Sequence, residues 1–105
     1  MNEVIKTMKE RRSVRKYQNK SVPMEVIEKI AEAGTYAATG KGRQSPIIIA
    51  VTNKDLISRL SKLNAQIMGT DADPFYGAPA VLIVLADKSV PTHVYDGSLV
   101  MGNIM

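Results

Sequence analysis

The chain has 105 residues, 45% apolar and 23% charged, with no cysteine and a formal net charge of +4. That length suits one domain and excludes a multidomain enzyme, while the balance of apolar and charged residues excludes a disordered or fibrous polymer. Without cysteine there is no disulfide, thiolate metal site or cysteine nucleophile, and the polar start MNEVIKTMKERR is no secretory signal, so a cytoplasmic protein with no membrane partner is expected.

Residues 2 to 11 place Val4, Ile5 and Met8 on one helical face, the spacing of a short amphipathic helix. Ser13 to Tyr17 alternates and reads as a loop or short extended piece. The charge concentrates here. Lys6, Lys9, Arg11, Arg12, Arg15, Lys16 and Lys20 stand against Glu10 alone, giving +6 and leaving −2 for the rest of the chain. A patch of this kind attracts phosphate, of a nucleic acid or of a small phosphorylated ligand; the plainer reading is a helix end dressed with basic residues to suit its dipole.

Pro23 reads as a first-turn residue of a second helix that buries Val26, Ile27, Ile30, Ala31 and Ala33, sets Glu25 and Lys29 four apart, and ends near Gly34. From Thr35 to Ser45 the sequence turns small and polar, with glycines on both sides of Lys41, as in a loop whose backbone approaches something closely. Pro46 opens a strand, IIIAVT, whose unbroken apolar run predicts burial on both faces. Asn53 is placed to cap a third helix, with Leu56, Ile57, Leu60, Leu63 and Ile67 on its stripe and an end near Gly69. The linker TDADPFYGAP leads to AVLIVLA, a second strand expected to be buried on both faces.

From about Thr92 the segment carrying Val94, Tyr95, Ser98, Leu99, Met101, Gly102 and Met105 reads as a helix apolar almost all round, suited to a core or a subunit interface. No capping signal follows it, so the expectation is a single domain over 1–105 that is incomplete at its carboxyl end. The fold class is an α/β (α+β) sandwich with helices on both faces of the sheet. Two strands make a poor sheet, so further strands are expected from elsewhere.

Chemistry carried by side chains is scarce. His93 is the only histidine, which leaves no triad, and it reads as a helix-end residue. There is no His/Cys cluster, and Asp71 with Asp73 does not make a calcium loop, so no metal is expected. Gly40-Lys41-Gly42 lacks the spacing of a nucleotide triphosphate loop. With one Phe and four Tyr there is little for base stacking, so nucleic acid is not an expected partner.

Four motifs occur in order: R-R-S-V-R-K-Y, S-V-P-x-E-x-I-x-x-I, A-A-T-G-K-G-R-Q-S-P leading into an apolar strand, and F-Y-G-A-P before a second one. Together they closely resemble the amino-terminal part of the FMN-dependent nitroreductase family, and D-G-S-L-V-M-G-N-I-M looks like the start of that family's central helix. The resemblance implies a mixed sheet flanked by helices and an intertwined homodimer with FMN at the subunit interface. It further implies a hydride passed from NAD(P)H through flavin N5 to a nitroaromatic, quinone or similar acceptor. The flavin carries that chemistry, so no catalytic side chain is required.

Carried over by position, the resemblance puts Arg11, Arg12, Ser13 and Arg15 on the FMN phosphate and ribityl chain. It puts Ala37, Ala38, Thr39, Gly42, Gln44 and Ser45 on a loop that reaches the flavin of the other subunit. Ala38 stands where the family usually has Pro, and Gly42 where it often has Asn. Asn64 is read either as a flavin contact or as a helix-surface amide, and Phe75 and Tyr76 either as pocket-shaping or as core residues. The alternative to an oxidoreductase is a flavin-binding or truncated module of the same fold without turnover.

Overall fold

Capping chemistry sets the helix boundaries in the computed structural model, which describes residues 2–105. Helix α1 spans Glu3–Glu10, and Oδ1 of Asn2 accepts the Ile5 amide at 2.9 Å as its N-cap. Residues 11–23 then run without regular structure to α2, Met24–Thr35. Pro23 sits one position before the first turn expected of it: its ψ of 140° is extended, so its carbonyl serves as the cap and accepts from Val26 and Ile27.

A short 3-10 turn, Gly40–Gly42, precedes strand β1, Ile47–Val51. Helix α3, Lys54–Met68, begins as its sequence dictates, with Oδ1 of Asn53 accepting the Leu56 amide at 3.0 Å. It ends at Gly69, whose left-handed φ of 72° lets its amide and that of Thr70 turn back onto the last carbonyls. Strand β2, Val81–Leu85, and helix α4, His93–Ile104, complete the order.

The strands pair antiparallel, Ile47 opposite Leu85 and Val51 opposite Val81. Helix α2 packs on α4 and on β1, and α4 packs on β2. They meet tightly at Gly34, where the Ile48 and Ile104 side chains press on the helix backbone. This α+β layering agrees with the expected class. The expected burial of both strands on both faces does not hold within this chain: Ile47, Ile49 and Leu85, on the face away from α2 and α4, are 55%, 40% and 47% exposed. The helical pair covers one face, which Ile48 shares with its cross-strand partner Val84.

The core is small. Ile27, Val51, Ile57 and Val100 are its buried apolar residues, with Asp96 the buried polar one. The accessible surface is 8241 Å², whereas a compact monomer of 11.5 kDa exposes about 5800 Å². The radius of gyration, 15.2 Å, likewise exceeds the ~13 Å of a compact chain this long. Helix α4 buries Asp96 and Val100 but leaves Tyr95 and Leu99 exposed, as is Met105 just past its end.

Candidate functional site

The loop after α2 closes on itself through Thr39. Its carbonyl accepts the Gly42 amide at 3.0 Å, and its hydroxyl oxygen accepts the Gln44 amide at 2.9 Å. Lys41, Gly42 and Gln44 all have positive φ, at 55°, 64° and 51°, so two non-glycine residues hold a left-handed backbone here. Such a conformation persists only where surrounding contacts impose it.

Those contacts come from α4. Oδ1 of Asp96 accepts the Gly40 amide at 2.9 Å, and Oδ2 accepts the Thr92 hydroxyl at 2.9 Å. Asp96 is 1% exposed. Any side chain at Gly40 would overlap Thr92, so loop and helix meet backbone to side chain. The sequence shows Asp96 as a lone carboxylate in an apolar helix, four residues after a threonine, but not the distant amide that gives it a role. The Ser45 hydroxyl oxygen is buried without a hydrogen-bond partner among the described residues.

Ala37, Thr39 and Gln44 line a cavity of 820 Å³ with Glu28, Tyr36 and Ile48. Ala38 and Gly42 are exposed on the same loop. The basic cluster stands elsewhere. Residues 11–20 are exposed, and Ser13 and Arg15 share a 310 Å³ cleft with Tyr17, Phe75 and Tyr76. Arg11 lines a groove of 540 Å³ between α1 and α4, beside Met8 and Asn103. Nη1 of Arg12 donates to the carbonyls of Lys9 and Arg11, both at 2.9 Å, and so caps the end of α1.

Asp73 ties together the turn that brings Phe75 and Tyr76 to the Ser13–Arg15 cleft. Its carboxylate accepts from the Ser61 hydroxyl at 2.6 Å and from the amides of Phe75 and Gly77 at 2.8 and 2.7 Å. The Ser61 hydroxyl, then the Phe75 amide, hold its pKa below the usual value of 3.8. Tyr76 takes a left-handed φ of 55° in this turn. Asn64 is exposed, and its Nδ2 donates to the Leu60 carbonyl one turn back at 2.8 Å. His93 opens α4 with Nδ1 2.8 Å from the Val90 carbonyl, as a helix-end histidine would.

The residues expected to serve one ligand therefore fall into separate groups: Arg11 in one groove, Ser13 and Arg15 in a cleft, Thr39 and Gln44 in a larger cavity, and Asn64 apart. Residues 8–80, which include Arg11, Arg12, Ser13 and Arg15, the Thr39–Gln44 loop and the Asp73 turn, match the model of the nitroreductase family. The chain belongs to that family.

Solved nitroreductases share the fold. One from Bacteroides fragilis, with bound FMN, superposes with a TM-score of 0.88 at 27% identity, over 99% of this chain and 63% of its own. A nitroreductase family protein from Clostridium difficile 630 reaches a TM-score of 0.79 at 31% identity, over 99% of this chain and 60% of its own. Among curated relatives, a Methanothermobacter thermautotrophicus protein provisionally named NADH dehydrogenase/NAD(P)H nitroreductase is 30% identical over 98% of this chain and 53% of its own length. The chain thus spans about half the length of that relative.

Proposed function

We propose that this nitroreductase-family chain binds FMN and serves NAD(P)H-dependent reduction of a small acceptor such as a nitroaromatic or a quinone, as a cytoplasmic homodimer. The observation that carries the reading is the exposed run of arginines ending at a cleft that Ser13 and Arg15 share with Phe75 and Tyr76. FMN-bound structures of the same fold support it, and so does the likeness to a Bacillus subtilis FMN reductase [NAD(P)H], 32% identical over 83% of this chain.

The donor set fits the cofactor. A phosphate dianion takes bidentate contacts from permanently charged guanidinium groups, and a serine hydroxyl adds a short donor. The cavity at Thr39 and Gln44, at 820 Å³, lies within the size range of ligand pockets. The Thr39 oxygen already accepts the Gln44 amide, which leaves the hydroxyl hydrogen to donate outward. Ser13 with Arg15 and Thr39 with Gln44 face different cavities of one chain, and a second copy would let the two groups meet on one flavin. The excess exposed surface favours such a partner.

Bound FMN supplies two-electron redox chemistry between NAD(P)H and the acceptor. The chain's own residues bind and orient: arginines neutralise the phosphate, the closed loop presents Gln44, and Phe75 and Tyr76 give the cleft an aromatic wall. No helix among the described residues is long and apolar enough to cross a membrane.

The test is flavin retention. After reconstitution with FMN and gel filtration, the chain should keep its flavin absorbance, and NADPH should bleach it in stopped flow. A colourless protein defeats the flavin reading, whereas a yellow protein that NADPH does not bleach is a binding module without turnover.

A further inference from the structure

Among the described residues, the loop carrying Thr39 and Gln44 is fixed to the body of the fold at one polar point. Its internal hydrogen bonds, Gly42 to Thr39, Arg43 to Gly40 and Gln44 to Thr39, close the loop without anchoring it. The anchor is the Gly40 amide donating to Oδ1 of Asp96, 56 residues away in sequence, with the Thr92 hydroxyl holding Oδ2 one helical turn before.

Asp96 is the buried polar side chain of the core, and both of its oxygens are engaged. A buried carboxyl is expensive unless its partners are well placed, so its position in an otherwise apolar helix calls for a specific use. Packing gives none: Val100, one turn on, fills the same buried stripe as an apolar residue. The use lies at the other end of the hydrogen bond. Gly40 immediately follows Thr39, and Thr39 fixes Gln44, so the carboxyl sets where these two polar residues stand in the lining of the 820 Å³ cavity.

We propose that Asp96 is a positioning residue: through Gly40 it holds the Thr39–Gln44 loop in its left-handed form and so sets the geometry with which that loop meets the flavin. Thr92 orients the carboxyl, and the absence of a side chain at Gly40 lets the loop close on it. The inference rests on the flavin reading, because only a ligand at the loop gives the position a use.

Backbone exchange and flavin binding test it together. In the chain without flavin, Asp96→Ala should free the Gly40 and Gln44 amides to exchange with solvent, while α3 keeps its protection. Asp96→Asn retains an acceptor for Gly40 and should restore protection. With FMN added, Asp96→Ala should weaken affinity about tenfold and alter the visible circular dichroism of the flavin, and Asp96→Asn should stay within about threefold, as expected when one buried hydrogen bond is lost or kept. Gly40→Ala disturbs the same link from the loop side and leaves the buried carboxyl in place; it should mimic Asp96→Ala, and the double variant should be no worse than the poorer single one. Should Asp96→Ala fail to fold, Gly40→Ala carries the comparison.

A wild-type chain that binds no FMN overturns the flavin reading, and this use of Asp96 with it. A wild-type chain that binds FMN overturns the inference alone if Asp96→Ala and Gly40→Ala match it in affinity, flavin spectrum and Gly40 exchange.

Discussion

Nδ2 of Asn103 donates to the Ala33 carbonyl at 2.9 Å, joining α4 to α2 across 70 residues of sequence. The next residue, Gly34, is the reason the two helices come this close. A Cβ at that position would stand 2.7 Å from Cδ1 of Ile48 and 3.0 Å from Cγ1 of Ile104. Helix α2, helix α4 and strand β1 therefore meet on a bare stretch of backbone.

Gly34→Val should destabilise the chain by about 1–3 kcal/mol, because two isoleucines must leave their positions to admit it. Asn103→Ala, which removes one exposed hydrogen bond, should cost at most about 1 kcal/mol. Thermal melts followed by far-UV circular dichroism compare the two. Equal midpoints for wild type and Gly34→Val would show that the helices do not touch there.

The ends of α3 predict a change in stability without a change in ligand binding. Asn53→Ala removes the side-chain cap on the Leu56 amide and should cost about 1 kcal/mol. Gly69→Ala forces a Cβ into the left-handed region at φ 72° and should cost about the same. Neither residue lines the cavities at Thr39–Gln44, Arg11 or Ser13–Arg15, so FMN retention should match wild type, and a loss of flavin in either would tie the ends of α3 to the site.

Asp73 predicts a pH dependence. Its folded pKa lies below the usual 3.8 because the Ser61 hydroxyl and the Phe75 and Gly77 amides favour the charged form. A group depressed on folding stabilises the folded state above its unfolded pKa, and that contribution is lost as pH falls below 3.8 through the folded value. Asp73→Asn should therefore be less stable than wild type at pH 6, with the gap narrowing toward pH 3. A gap of constant size across that range would refute the assignment.

The arginines should separate by their present partners. Arg12 already spends its guanidinium on the Lys9 and Arg11 carbonyls, so Arg12→Ala should lower helix content at α1 more than it lowers flavin affinity. Arg15, exposed at the cleft, should behave in the opposite way: Arg15→Ala should weaken FMN binding about tenfold, in the range of a lost charged hydrogen bond, with an unchanged melt. The difference should shrink at high salt, which screens exposed charges. Fluorescence titration of FMN reads the affinity, and equal losses for the two variants would make the cluster act as undifferentiated charge.

Local rules were legible in the sequence where the chemistry is local. Asn53 and Gly69 bracket α3 because a capping carboxamide and a left-handed glycine act within a few residues of themselves. Pro23 stands at the cap and not in the first turn, because the ring fixes only φ, at −56° here, and leaves ψ free to be extended at 140°. An unbroken run such as Ile47 to Val51 says that a strand is apolar, but what covers each face depends on elements distant in sequence or on another molecule. The same limit hid Asp96. Its meaning lies in an amide 56 residues earlier, which no periodicity reveals. Family motifs locate the arginines and the Thr39–Gln44 loop, whereas Arg12 folded back onto α1 and the two groups facing different cavities are features of the folded chain alone.

Tyr95 and Leu99 are four residues apart on one side of α4, 72% and 50% exposed, in a chain whose surface exceeds that of a compact monomer of its mass. Burying a leucine side chain is worth about 1.5–3 kcal/mol, and a carboxylate put in its place would be desolvated without a partner. If α4 forms part of a homodimer interface, the wild-type chain should sediment as a dimer, and Leu99→Glu should dissociate at least tenfold more readily while keeping its helical spectrum. FMN should be lost along with the dimer, because the Ser13–Arg15 and Thr39–Gln44 groups of one chain do not share a cavity. A wild-type monomer that binds FMN would place the flavin within a single chain, and an unperturbed Leu99→Glu dimer would move the interface to another face.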